Sequence, residues 1–135
     1  MGLLKTLILY FSTAVVFFAI DLIWLGLMNS RFYKPQLVGL MSDKVTWLPA
    51  ILFYLLFVVG VVLLVVLPAI EHGSWLSAML LGGLLGMIAY GTYDLTNLAS
   101  IKNWPIMVTI VDIVWGTILA ATVATISYFI AKALS

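Results

Sequence analysis

The sequence has no cysteine among its 135 residues, so disulfides, thiolate chemistry and cysteine metal centres are excluded. Charged residues are almost as scarce, at 8% of the chain against about 25% in a typical soluble domain. The formal net charge of +1 leaves no basic surface for binding nucleic acid. The only histidine is His72, and there is no zincin motif or Gly-Lys-Ser/Thr phosphate loop. These absences remove most familiar kinds of catalytic centre.

Hydrophobic residues make up 65% of the chain, more than a soluble fold of this length can bury. A helix needs about 20 apolar residues to cross a hydrocarbon core about 30 Å thick. No alternation typical of membrane β-strands is present. We therefore predict an all-α membrane protein with four transmembrane helices in an antiparallel bundle. Residues 1–135 form its single domain, with spans at about 4–28, 47–67, 75–98 and 105–131.

The first span is too long for a signal peptide and contains an aspartate, so we expect it to remain uncleaved. Residues 68–74 are predicted to form a tight turn. With four spans, the connections at 29–46 and 99–104 lie on one side of the membrane, and both termini lie on the other. Four basic residues lie in those two connections, and two lie near the termini: Arg31, Lys34, Lys44 and Lys102 against Lys5 and Lys132. The positive-inside rule then predicts a bacterial inner-membrane protein with periplasmic termini.

Small residues recur every four positions in the third and fourth spans, and each series runs into an aspartate. The series are Ala78, Gly82, Gly86, Tyr90 and Asp94, and Asp112, Gly116, Ala120 and Ala124. Small residues at this spacing let neighbouring helices approach closely. We expect the two aspartates to face the interior of the bundle, although the same residues would also suit a homo-oligomer interface. The second span is apolar apart from Tyr54 and Gly60, which predicts that it faces lipid over much of its circumference.

Three aspartates are predicted to share one layer of the membrane. At 1.5 Å per residue, Asp21 and Asp112 lie roughly 10 Å inside their spans and Asp94 roughly 6 Å, all measured from the same side. Apart from Lys5, at the opposite end of the first span, no Lys or Arg lies within a span, so shared protons or a bound cation are expected. The long side chain of Lys102, Arg31 or Lys34 could also reach in from the connections.

Polar and aromatic residues accompany the three aspartates. Trp24 and Trp115 each follow an aspartate by three residues, on the same helical face. Intramembrane carboxylates usually mark functional sites, although they also join helices at about 0.6 kcal/mol each. The candidate residues for binding a ligand or an ion are Asp21, Asp94, Asp112, Tyr90, Tyr93, Asn97, Trp24 and Trp115.

The segments DLIWLG, GLLGMIAYGTYDLTNLASIKNWP and DIVWG resemble a family of small bacterial inner-membrane proteins known only as a domain of unknown function. The resemblance covers nearly the whole chain, and its most specific part is the YDLTN segment. It implies a four-helix membrane protein. Its members often accompany genes for modifying membrane fatty acids, which implies lipid chemistry. It supplies no catalytic assignments, and neither the resemblance nor the residues identify a cofactor.

Three functions stay open at this point. The aspartates could bind or transport a proton, a cation or a small polar solute. They could instead serve a membrane enzyme or enzyme subunit in lipid or fatty-acid modification, as acid and base or as oxygen ligands of a divalent metal. The third function is that of a structural accessory protein. We expect the lipid bilayer as a partner, with a small polar ligand, a cation or a lipid headgroup at the site. A cavity crossing the bundle would favour transport, and a lateral opening would favour lipid chemistry.

Overall fold

The computed structural model describes residues 1–42 and 44–135, and Asp43 of the first connection lies outside the described residues. The described chain is mainly helical and contains no strand. Four helices are long and apolar enough to cross a membrane, which confirms the predicted fold class. They are α1 (Leu3–Met28), α2 (Trp47–His72), α3 (Trp75–Ser100) and α4 (Ile106–Leu134).

The four helices pack around a continuous apolar core. Helix α1 packs against α2 and α4, whereas α3 packs against α4 and against the second half of α2. The contact between α3 and α4 is the most extensive in the bundle. Two polar side chains join α1 to α4 inside this core, where the Thr13 and Ser127 hydroxyls lie 2.8 Å apart.

Helix α2 contains a π-helical stretch, Val61–Val66, between its α-helical parts Trp47–Gly60 and Leu67–His72. The residues of this stretch that turn toward the bundle are fully buried: Val61, Val62, Val65 and Val66. Leu63 and Leu64 of the same stretch are exposed, so the helix has one core-facing side while the rest of its circumference faces outward, as predicted. A uniformly apolar sequence carries no pattern that separates a lipid-facing surface from a core-facing one.

Both π-helical stretches end two residues before a proline. The stretch Asn29–Tyr33 precedes Pro35, and Val61–Val66 precedes Pro68. A proline in a regular α-helix lacks the N–H for one hydrogen bond and collides with the carbonyl four residues earlier. A π-helical turn changes this hydrogen-bond spacing and so lets the helix continue through the proline.

The predicted tight turn at 68–74 is therefore wrong, because the helix continues to His72. The reversal between α2 and α3 needs only Gly73 and Ser74. Gly73 adopts a left-handed conformation at φ 65°, which glycine reaches without strain. The Ser74 hydroxyl then accepts a hydrogen bond of 3.1 Å from the backbone N–H of Ser77 and so caps α3.

The connection after α1 also begins as helix, through Asn29–Tyr33 and a single turn at Lys34–Gln36. We call residues 29–37 the cap segment. Its buried side chains Tyr33 and Leu37 form a small apolar cluster with Val108, near the start of α4. The first connection is thus anchored on the bundle rather than lying free along the membrane surface.

The small-residue series of α3 and α4 pack directly on each other. A Cβ atom at Gly82 would lie 2.5 Å from the Cβ of Ala124, and one at Gly86 would collide with the carbonyl oxygen of Gly116. One turn further along, the ring of Tyr90 fills the space over Gly116. Each turn toward the C-terminus of α3 therefore pairs with a turn nearer the N-terminus of α4.

Candidate functional site

The register between α3 and α4 brings two aspartates together. The turn after the Tyr90–Gly116 contact pairs Asp94 with Asp112, and their carboxyl groups lie close enough to interact. Asp94 is completely buried, and neither of its carboxylate oxygens accepts a hydrogen bond of good geometry from the described residues. A buried polar group without a hydrogen bond costs free energy, so the packing of the surrounding helices must offset this cost.

Asp112 is held by an aromatic residue of the cap segment. The Tyr33 hydroxyl donates a hydrogen bond of 2.9 Å to Oδ1 of Asp112. The Trp24 indole N–H in turn donates to the Tyr33 hydroxyl at 3.1 Å. Because Asp112 is only partly buried, its carboxyl group also lies at the edge of the cavity described below.

Asp21 occupies a second, neighbouring position with its own two donors. The Tyr54 hydroxyl donates to Oδ2 at 2.8 Å, and the Trp115 indole N–H donates to Oδ1 at 3.1 Å. Asp21 is buried, with only 5% of its surface exposed. This carboxylate has a hydrogen bond on each oxygen, which distinguishes it from Asp94.

The two positions are linked by stacked indole rings. Trp24 and Trp115 lie with ring centroids 4.2 Å apart and planes 6° from parallel. Each tryptophan serves the carboxylate of the other helix: Trp115 of α4 binds Asp21 of α1, and Trp24 of α1 reaches Asp112 through Tyr33. The three aspartates therefore belong to one layer of connected side chains.

The hydrogen bond between Trp24 and Tyr33 requires a bend in the chain. Residues nine apart in a straight α-helix lie on opposite faces and about 13 Å apart along the axis. Here they are in contact, because α1 departs from regular geometry at Met28, where φ is −105° and ψ is −19°. The π-helical stretch that follows turns Tyr33 inward over the end of the bundle.

A cavity of about 620 Å³ lies between the start of α2 and the second half of α3. Asp112 of α4 forms part of its wall, with hydroxyl groups from both flanking helices around it. The cavity is partly open rather than enclosed. Its lining residues are Thr46, Pro49, Ala50, Phe53, Tyr54, Ala89, Tyr90, Tyr93 and Asp112.

An apolar groove of about 410 Å³ lies beside this cavity, mostly along α2. The two spaces share one wall residue, Phe53. Gly60 has no side chain to fill the groove, and Leu85 of α3 forms the opposite wall. We call the cavity and the adjoining groove together the cleft; its cavity end carries the polar groups, and its groove end is apolar.

The other predicted residues lie around this layer with different exposure. Tyr90 is largely buried and lines the cavity beside Tyr93, which is 56% exposed. Asn97 is partly buried one turn beyond Tyr93, near its hydroxyl group. The basic side chains are all exposed, including those of Arg31, Lys34 and Lys102 that were considered able to reach in.

The donor set does not match a metal centre. Within residues 1–42 and 44–135, no group of three or more His, Cys, Asp or Glu side chains is arranged to hold a metal ion. Both oxygens of Asp21 already accept hydrogen bonds, from Tyr54 and from Trp115, so they are not free to join the Asp94–Asp112 pair as metal ligands.

Sequence reasoning missed two residues of this layer, Tyr33 and Tyr54. Tyr33 lies in the predicted connection at 29–46, and only the bend at Met28 brings it inside. Tyr54 carried a signal, because it is the only hydroxyl-bearing side chain of the second span, but the span was assigned to lipid contact. Such a lone hydroxyl in an apolar span points to a partner inside the bundle.

The comparisons with known proteins agree with the fold described above. The model of a family described as "Predicted membrane protein (DUF2177)" matches residues 6–129. The chain belongs to this family. No curated protein and no solved structure matches it. All three aspartates lie within the part of the chain that the DUF2177 model matches.

Proposed function

We propose that this integral membrane protein binds an amphiphilic molecule of the bilayer in the cleft between α2 and α3. The polar head of the molecule would lie against Asp112, and its apolar chain would lie in the groove that continues past Phe53. The observation that carries this proposal is a carboxylate-bearing cavity beside an apolar groove, with Phe53 in the wall of both.

The dimensions and chemistry of the cavity support a binding site. Ligand pockets commonly have volumes of about 300–1,000 Å³ and are mainly apolar, with a few polar groups that fix orientation. The cavity of about 620 Å³ falls in this range. Its polar groups are Asp112 and the hydroxyl groups of Thr46, Tyr54, Tyr90 and Tyr93.

The position of the cavity favours binding from the membrane over transport through the bundle. Beyond the aspartate layer, the interior of the described bundle is filled by completely buried side chains such as Leu9, Val61 and Val123. A solute would have to displace this close-packed core to cross. A molecule already in the bilayer would reach the cleft laterally and would not have to displace this core.

A filled-cavity variant tests the proposal. Ala89 lines the cavity, and Ala89→Phe would fill it, whereas Ala19→Phe on the exposed face of α1 makes the same substitution away from the cleft. The full chain in phosphatidylcholine nanodiscs would be titrated with dodecanol or dodecylamine and followed by native mass spectrometry. We expect at least one probe to bind the wild type and Ala19→Phe one to one, and to be lost in Ala89→Phe. If Ala89→Phe binds both probes as well as Ala19→Phe does, the cleft is not the site.

A further inference from the structure

We infer that the head group held in this cleft is a cation, of the ammonium type. This inference rests on the proposed function, and it names the class of molecule that the site would select. It is carried by the Asp112 carboxyl group in the cavity wall and the unpartnered Asp94 carboxyl group beside it, together with the aromatic walls of the cavity.

The balance of charge in the layer is the first argument. Three aspartates lie in it, while every Lys and Arg side chain of the protein is exposed. The hydrogen bonds to Asp21 and Asp112 come from tyrosine and tryptophan, which are neutral donors. Two carboxyl groups as close as Asp94 and Asp112 cannot both remain ionised in apolar surroundings without a proton or a cation between them.

The second argument is that Asp94 is poised without a partner. Both of its oxygens are buried and accept no hydrogen bond from the rest of the described chain. Oδ1 of Asp112 is engaged by Tyr33, and Asp112 also lines the cavity. An ammonium group in the cavity would donate hydrogen bonds to Asp112, stronger than those from a neutral hydroxyl, and its charge would offset the negative charge of the pair.

The third argument concerns the walls of the cavity. Aromatic rings attract cations through the negative charge of their faces, and cages of such rings recognise ammonium ligands. Four aromatic side chains line this cavity around the Asp112 carboxyl group: Phe53, Tyr54, Tyr90 and Tyr93. An anionic head would be repelled by the negative charge of the Asp94–Asp112 pair, and a neutral alcohol would gain neither the ionic nor the cation–π attraction.

The titratable groups that face the pair come from every neighbouring element, and none of them is basic. The charges and hydroxyl groups that interact with Asp94 or Asp112 belong to Tyr33, Tyr54, Tyr90 and Tyr93. Asp21 acts on Tyr54 and Tyr90, next to the pair. A bound cation would therefore meet only carboxyl groups and phenols.

The test compares two probes of equal chain length that differ in the charge of the head. In phosphatidylcholine nanodiscs near neutral pH, dodecylamine should bind the wild-type full chain at least about tenfold more tightly than dodecanol. Asp112→Asn should lose most of this preference while retaining weak binding of dodecanol. Equal affinity for the two probes in the wild type would overturn the inference, whatever Asp112→Asn does.

The two proposals fail in different ways. If dodecanol and dodecylamine bind equally and both are lost in Ala89→Phe, the cleft binds amphiphiles but does not select cations. If neither probe distinguishes Ala89→Phe from Ala19→Phe, the cleft itself is not a binding site. An amine preference that is the same in Ala89→Phe and in the wild type would show that the cation is held elsewhere, and would also overturn the inference.

Discussion

Trp24 and Trp115 stack with centroids 4.2 Å apart, and each donates its N–H toward the carboxylate carried by the other helix. The stack therefore joins two carboxylate positions that would otherwise be independent. It also fixes the rotation of α1 against α4, because neither indole can turn without losing a hydrogen bond. Displacement of Trp24 would leave the Tyr33 hydroxyl with one partner fewer beside Asp112.

The stack should appear as an energetic coupling between the two tryptophans. Stacked aromatic pairs contribute about 0.5–1.5 kcal/mol beyond their buried area. In a double-mutant cycle of Trp24→Leu and Trp115→Leu, we expect a coupling of this size in the free energy of unfolding in detergent. The control cycle pairs Trp115→Leu with Trp75→Leu, because Trp75 begins α3 at the other end of the bundle. Equal coupling in the two cycles would contradict the role assigned to the stack.

The close approach of α3 and α4 makes a second prediction, at Gly86. A Cβ atom there would meet the backbone carbonyl of Gly116, which cannot rotate away. We expect Gly86→Ala to destabilise the bundle by about 1–3 kcal/mol, the usual cost of overpacking. Gly60→Ala is the matched control, because its Cβ would meet only the end of the Leu85 side chain at 3.7 Å.

Thermal unfolding in detergent measures both glycine variants. Gly60→Ala should be neutral or slightly stabilising, since alanine favours a helix over glycine by up to about 1 kcal/mol. Equal melting temperatures for the two variants would mean that α3 and α4 do not approach as described.

The substitution Asp94→Asn tests whether the Asp94 carboxyl group acts in ligand binding or only joins helices. The amide keeps the shape of the side chain, so the melting temperature should change little. The loss of one carboxylate should reduce the affinity for dodecylamine by about tenfold or more, with dodecanol binding unchanged. A carboxyl group that only joins helices would give the opposite result, with dodecylamine binding unaffected by the substitution.

The four-helix fold could be predicted from the sequence because hydropathy and length alone determine which segments can cross a membrane. The series of small residues also predicted which faces of the third and fourth helices meet. Once α3 and α4 are known to be antiparallel, the spacing of Gly82, Gly86 and Asp94 in one helix and of Asp112 and Gly116 in the other predicts which positions pair.

The cleft and part of the aspartate layer could not be predicted in this way. Tyr33 joins the site only through the π-helical bend after Met28, and π-helical stretches have no reliable sequence pattern. Tyr54 lies in a span whose uniform hydrophobicity hides which side faces the bundle. The separation of α2 from α3 beside Phe53 depends on tertiary packing rather than on local sequence.

The orientation of the protein in the membrane is a further prediction, based on the basic residues of the two connections. A reporter fused after Ser135 should report a location outside the cytoplasm. This follows from the excess of Lys and Arg in the connections at 29–46 and 99–104. A cytoplasmic reporter signal would reverse the orientation but leave the aspartate layer unchanged.

The most direct test of the central claim is an experimental structure of the full chain in nanodiscs that contain dodecylamine. The account predicts elongated density in the cleft between α2 and α3, with its polar end beside Asp112 and its chain passing Phe53. A closed cleft, with α2 resting on α3 and Tyr90 filling the space, would contradict it. So would ordered density whose polar end points away from Asp112.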